Sequence, residues 1–362
     1  METFSSANLL LLKKTNFNGL HYMKFKLAPY VRIGFQKEEL HFGFGSIQKI
    51  VKEKELQEAL ISSAKFLNSY ESLQSLESHL KNEGFQDEII KKNVHIMEKN
   101  RLLISENIWQ KNDRHSRTKL FLNMYTDQVD KTLKAIQFRH IGIVGCGGIG
   151  NIVSVNLATI GVTKFTLVDD DSIEESNLSR QFLFKESDCQ KSKAKTLANA
   201  LKERSHNVDI DIVDCAITEK NVNLLSNCDF IVLSGDSKNL PFIINKFAVE
   251  RKIPFINVGY IQDIAVWGPL VVPGETGCLE CGKGNFTEQS DLRITKINGN
   301  YQAPSIGPVN MIAASHASLD IIKFIGGFGE VKSLNKRVGI WTHNLTIQEQ
   351  IFSKNSECRV CH

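Results

Sequence analysis

The sharpest hydrophobic pattern in the chain is an unbroken apolar run, Ile141 to Val144, that empties into Gly145-Cys-Gly147-Gly148-Ile-Gly150. Ile152, Val155 and Ala158 then recur at helical spacing. This order predicts a buried strand, a tight glycine turn and a helix. Glycines in such a turn let the backbone approach a phosphate, and free N–H groups at the helix N-terminus favour its charge. A second run, Lys164 to Val168, ends in Asp169, where a carboxylate can accept ribose hydroxyls. Strand patterns at Val208–Val213, Asp229–Leu233 and Pro254–Val258 alternate with helical ones at Cys189–Glu203, Glu219–Ser226 and a segment ending at Lys252. Leu270–Val272 reads as a further strand, Val309–Phe324 as a helix, and Val338–Trp341 with Leu345–Ile351 as antiparallel strands closing the sheet. The expected class is α/β with a mixed sheet.

Upstream the pattern shortens. Tyr30–Phe35 and Leu40–Ser46 read as β-segments, followed by helical patterns at Ser46–Ala59, Ser69–Glu83 and Phe85–Asn100 and a returning strand at Arg101–Ser105. Residues 23–105 are therefore expected to form a small winged-helix-like domain. Such a unit can present a strand edge to an extended peptide; a dimerisation or packing module would have the same composition. Residues 1–22 lack periodicity and are expected to be a disordered extension. Residues 106–137 read as a linker that carries Asp113-Arg114-His115-Ser116-Arg117, and 138–362 as the nucleotide-binding domain.

Composition narrows the setting. Of 362 residues, 42% are hydrophobic and 23% charged, an ordinary soluble balance, and the net charge of +4 does not call for nucleic acid or membrane as a partner. No apolar run approaches the roughly 18 residues of a membrane helix, so a cytoplasmic protein is expected. Four of the eight cysteines form two knuckles, Cys278-Leu-Glu-Cys281 and Cys358-Arg-Val-Cys361. Four thiolates at this spacing suit a closed, structural Zn²⁺ site, with a redox pair as the alternative. Between the knuckles, the polar stretch Gly282–Pro308 is long enough to expect a functional loop, and it holds no cysteine. Of Cys146, Cys189, Cys215 and Cys228, only Cys189 is placed for exposure, which disfavours a thioester step.

An NAD site would look the same up to Asp169. Beyond that residue the chain departs from the NAD pattern, with Asp171, then Ser176-Asn177-Leu178-Ser179-Arg180-Gln181, then Lys193. This set resembles the ubiquitin-activating-like adenylating enzymes, a family that includes the bacterial molybdopterin and thiamin activators. The resemblance continues from Met23 through DRHSR, GCGGIGN, SNLSRQFLF, NVGYIQDIAVWGPLVVPGETGCLEC, APSIGPVN, SLNKRVGIW and the terminal CRVC. In that extent the chain is similar to the microcin C-type peptide nucleotidyltransferases.

The resemblance implies a Rossmann-like ATP-binding domain joined to an amino-terminal peptide clamp. The implied substrate is a short ribosomal peptide ending in asparagine. One ATP activates its terminal carboxylate, the side-chain amide closes a succinimide, and the imide nitrogen takes AMP from a second ATP. Gly145, Gly147, Gly148 and Gly150 would approach phosphates and Asp169, with Asp171 beside it, the ribose. Asn177, Arg180 and Lys193 would meet the triphosphate, with Gln181 in support, and Asp236 would hold Mg²⁺. Arg114 and Arg117 match arginines that reach the partner's triphosphate in a homodimer. ATP and CTP both remain open as the nucleotide. Glycine is common three residues before the family lysine, and Gln190 stands there instead, so Lys191 or Lys195 could replace Lys193. Three other functions stay open: a sulfur-carrier activator acting on Gly-Gly, an NAD-linked redox enzyme, and a non-catalytic peptide-binding scaffold.

Overall fold

The computed structural model describes residues 23–106, 108–237, 239–282 and 302–361. The expectations for residues 1–22 and for most of the loop between the knuckles lie outside the described residues. The chain divides into two compact units between Lys134 and Ala135, near the end of the stretch expected to be a linker.

The first unit contains two three-stranded antiparallel sheets. Strands β1 (Lys24–Leu27), β2 (Ile33–Gln36), β3 (Glu39–Phe42) and β4 (Lys49–Val51) precede the helix α1 (Lys54–Phe66). The short β5 (Glu71–Ser72), α2 (Leu73–Asn82), α3 (Asp87–Lys99) and β6 (Leu103–Ser105) complete the unit's sheets. One sheet runs β5-β1-β6, the other β2-β3-β4. The helix expected from Ser46 starts only at Lys54. Gly43 and Gly45 turn the chain at positive φ, and Ile50 and Val51 pair with β3 instead. β-branched residues at i and i+1 serve a strand better than a helix. Leu40, Phe42, Leu60, Leu76, Leu80 and Met97 fill the core.

The supposed linker is largely helical: α4 (Ser116–Asn123) and α5 (Val129–Gln137). Asn123 ties α4 into the first unit, its amide donating to the Tyr30 hydroxyl at 2.7 Å and to the Leu103 carbonyl at 3.0 Å. Leu120 packs against Ala28 and Ile104. The polar stretch before Arg117 hides the apolar Leu120 and Leu122 behind it.

The second unit is one eight-stranded sheet. Its strands are β7 (His140–Val144), β8 (Lys164–Val168), β9 (Asp209–Val213), β10 (Phe230–Leu233), β11 (Phe255–Ile261), β12 (Ile264–Val271), β13 (Lys336–Trp341) and β14 (Ile347–Ile351). They stand in the order β14-β13-β12-β11-β10-β7-β8-β9. From β9 to β11 neighbours are parallel; β12, β13 and β14 continue antiparallel. β7 is buried at every position, as a central parallel strand must be. Helices α6 (Gly148–Ile160), α7 (Lys193–Arg204), α8 (Leu240–Arg251) and α9 (Gly307–Gly326) cover the sheet. The helix expected at Glu219–Ser226 is a single 3₁₀ turn, Val222–Leu225, and the one expected from Cys189 begins at Lys193, where Ser192 caps it. The buried Asp320 carboxylate of α9 accepts from Trp267 Nε1 at 3.1 Å and from the backbone N–H of Lys332 and Ser333, which fixes the helix against the antiparallel half. No described helix is long and apolar enough to cross a membrane.

Candidate active site

From β7 the chain proceeds outward through β8 to β9, then returns to the other side of β7 as β10. The strand order therefore reverses between β7 and β10, where a crevice opens at the strand ends. A cavity of about 120 Å³ lies there, lined by Gly145, Asp169, Asp171, Asp236 and the apolar Val144, Ile217 and Leu240 among others.

The four glycines do different things. Gly145 has φ +96, and any Cβ on it would collide with the Gly235 backbone. A Cβ on Gly150 would strike the Gly145 carbonyl, and one on Gly148 the Asn310 amide. These three close the turn against its own walls. Gly147 alone has room, with only Gln181 Nε2 near, at 3.7 Å. It also stands at the N-cap of α6 without a side-chain cap, so the helix's first N–H groups remain available for an anion.

Asp169 is held by the backbone. Its Oδ2 accepts from the Cys146 N–H at 2.6 Å and its Oδ1 from the Asp171 N–H at 2.9 Å. Burial raises its pKa, outweighing those two N–H groups and the Lys193 charge. Since the ionised form is the better acceptor for ribose hydroxyls, affinity for ATP is expected to fall as pH drops, beginning above the ordinary aspartate value of about 3.9. Calorimetric Kd values across pH, with Asp169→Asn as a variant that cannot titrate, check this; parallel profiles would remove Asp169 from the ribose site.

Lys193 is buried at the first position of α7, and its Nζ donates to Asp171 Oδ2 at 2.7 Å. Its backbone N–H reaches the Asp171 carbonyl as well. The competing lysines face elsewhere: Lys191 pairs with Asp188 and Lys195 with Asp214, both lysines exposed. Gln190 resolves the missing glycine, because it adopts φ +72, the left-handed conformation that glycine supplies freely. The turn keeps its shape at the cost of strain. Gln190→Gly is expected to raise stability by about 0.5–1 kcal/mol, relief of strain less the extra entropy of glycine. A urea midpoint that does not rise would show the turn unstrained.

The Asn177–Gln181 segment starts at the end of the 3₁₀ turn Glu175–Asn177 and continues as a tight turn. Asn177 is buried, its Oδ1 accepting from the Glu174 N–H at 3.2 Å, so part of its role is to cap its own turn. Arg180, half-buried, donates to the Ser176 carbonyl at 2.9 Å. The Asn151 side chain accepts from the Leu183 N–H at 2.8 Å and ties this segment to α6. Asp236 is exposed just beyond β10, with no hydrogen-bond partner among the described residues. A free carboxylate at a strand end fits a hard cation such as Mg²⁺. Arg114 and Arg117, by contrast, are exposed on the first unit. Asn310, on the first turn of α9, ends the APSIGPVN stretch but is given no role by the sequence: its place in the site emerges only when the fold brings it to Gly148.

The other cysteines divide clearly. The Cys146 thiol is fully buried and held far above its usual pKa by burial, and burial pushes Cys228 up to about 11, so neither is a ready thiolate. The four knuckle sulfurs cluster, with Sγ–Sγ distances of 3.9 Å (Cys278–Cys281), 3.6 Å (Cys278–Cys358) and 3.4 Å (Cys281–Cys361). A Zn–S length of about 2.3 Å gives tetrahedral edges of about 3.8 Å, so the set fits zinc. Burial opposes ionisation of Cys358, but the N–H groups of Val360 and Cys361 together with the neighbouring Cys361 and Cys278 thiols outweigh it and lower the thiol to about 7.

Residues 122–360 match the model of the ThiF family. Among solved structures, E. coli MccB with AMPCPP and MccA, and the same protein with succinimide, each superpose with a TM-score of 0.86 at 34% identity. Each match covers 94% of this chain and 99% of MccB. The sulfur carrier protein ThiS adenylyltransferase of Bacillus subtilis is 32% identical over 173 residues, 46% of this chain, and the chain spans only about half (49%) of that relative's length. The glycine turn at the switch of strand order and a family match over most of the chain agree: this protein is an enzyme of the ThiF family, similar to MccB over nearly its whole length.

Proposed function

We propose that the chain is an ATP- and Mg²⁺-dependent nucleotidyltransferase that modifies the terminal asparagine of a short ribosomal peptide, yielding a microcin C-like product. The observation that carries the reading is one arrangement at the strand-order switch. An uncapped helix N-terminus beside the open Gly147, a carboxylate clamped by two backbone N–H groups, and the buried Lys193 occupy a single crevice end. A nucleoside triphosphate needs all three: N–H groups for phosphate, Asp169 for ribose, and cationic Lys193 and Arg180 for the charge that grows on leaving pyrophosphate.

In the first step the peptide carboxylate attacks the α-phosphorus, the bond to the β-phosphate breaks, and pyrophosphate leaves. The asparagine side-chain nitrogen then attacks the acyl carbon, expelling AMP and losing a proton, which closes the succinimide. Finally the imide nitrogen loses its proton and attacks the α-phosphorus of a second ATP, forming the N–P bond and releasing a second pyrophosphate. The nucleophiles belong to the substrate, which agrees with buried Cys146 and Cys228. Asp236 would hold Mg²⁺, which neutralises phosphate charge when bound. A second copy of the chain would supply Arg114 and Arg117.

The amino-terminal unit favours the peptide reading over a Gly-Gly carrier. The match to MccB extends over 94% of the chain, whereas the matches to ThiS adenylyltransferases cover 46% (Bacillus subtilis) and 68% (Escherichia coli) of it. Mass spectrometry of reactions with Mg²⁺, ATP or CTP, and peptides ending in Asn or Gly-Gly tests it. A stable nucleotide adduct on an Asn-ended peptide is expected. Pyrophosphate release with the Gly-Gly carrier alone would move the enzyme to the sulfur-carrier activators.

A further inference from the structure

Two buried primary amides flank the glycine turn, and each keeps one polar edge without a partner. Gln181, 3% exposed, lies over Gly147, and its Oε1 has no hydrogen bond. Asn310, 2% exposed, abuts Gly148; its Nδ2 donates to Ser305 Oγ at 3.3 Å while its Oδ1 is unpaired. Buried amide oxygens are ordinarily satisfied, and two orphans on one turn are an unusual concentration. They come from distant parts of the chain brought together here: the Phe182 ring lies against Gly307, so the Arg180–Phe182 loop and the start of α9 meet beside Gly148.

We propose that Gln181 and Asn310 form a recognition site for the primary carboxamide of the substrate's terminal asparagine, a proposal that rests on the function argued above. The chemistry selects this guest. A phosphate oxygen pairs with these amides only if each turns its N–H₂ toward it, whereas a carboxamide N–H₂ donates to both oxygens as they stand. Rotating either amide exchanges its oxygen for N–H₂, and a carboxamide also accepts, so the guest is matched in both orientations. The site would sit beside the α6 N-terminus, where the activated carboxylate must lie within reach of its own side-chain amide. A terminal aspartate would bring a carboxylate that accepts but does not donate. A terminal alanine would leave both orphans unpaired.

Pyrophosphate–ATP exchange reports the first activation step alone and needs only a terminal carboxylate. With peptides differing only in their last residue, the wild type is expected to favour Asn over Ala by about 100-fold or more in kcat/KM. Asn310→Ala should shrink that preference by about tenfold while the Kd for ATP moves less than about threefold. Asn310→Ser, a smaller polar replacement that also lacks the amide, repeats the test if Asn310→Ala fails to fold. An unchanged preference in folded variants overturns the proposal, and so does a loss of ATP affinity in step with turnover, which would assign the amides to the triphosphate. A wild type that exchanges with no peptide removes the function itself and this site with it. Exchange with Asn- and Ala-ended peptides alike removes only the carboxamide site.

Discussion

Replacing Lys193 with methionine is expected to lower nucleotide transfer by about 10²–10³-fold, the usual consequence of deleting one fixed charge that stabilises a transition state. The loss should fall on kcat more than on KM, because the charge matters most when pyrophosphate is leaving. Stability should hardly change. Methionine retains most of the buried aliphatic stem, and the orphaned Asp171 carboxylate is 66% exposed and so remains solvated. Lys191→Met and Lys195→Met are the internal controls: their ammonium groups face Asp188 and Asp214 on the surface, where such pairs contribute little. Rapid-quench measurement of adduct formation, alongside a thermal melt, decides the matter. A Lys193→Met enzyme within about threefold of wild type would end the assignment.

With the four-cysteine cluster loaded with Zn²⁺, stripping the metal under reducing conditions is expected to lower the melting temperature by at least about 10 °C. At about 2–4 °C per kcal/mol for a unit of this size, that requires only a fraction of the binding energy typical of four-thiolate sites. The geometry explains why. Cys278 and Cys358 lie 80 positions apart in sequence and are buried in the same core as Phe352, Leu233 and Val144. That core continues to the strand ends that line the nucleotide cavity. Activity should therefore disappear together with the melt and return with added Zn²⁺. Cys358→Ser should behave as the metal-free protein does. A metal-free sample, verified by elemental analysis, whose melting temperature and activity match the loaded enzyme would show the cluster dispensable.

Legibility of the chain tracks the range of the interactions. Ile141–Val144, the glycine turn and the two knuckles are local patterns whose physics is complete within a few residues, and each stands in the structure where the sequence puts it. Segments that depend on a neighbour differ from their sequence pattern. Ile50 and Val51 fit helical spacing as well as a strand, and only pairing with β3 decides between them. Leu120 looks like part of a linker because its partners, Ala28 and Ile104, lie in the preceding domain and not in its own stretch. Gln190 conceals a left-handed turn because the expected glycine is absent. The role of Asn310 is hidden for the same reason of distance: it depends on Gly148.

The floor of the nucleotide cavity is a long-range product. Ser234 Oγ donates to the Gly145 carbonyl across 89 positions, and Gly145 touches Gly235 too closely to admit a methyl group. Pairing across so much chain forms late and slowly, because the entropy of closing the intervening loop precedes any reward. Refolding should accordingly pass through species with local helix and hairpin structure but no crevice. Fluorescent ATP analogues should bind only in the final kinetic phase, which makes nucleotide affinity a clock for the last event in folding of this unit.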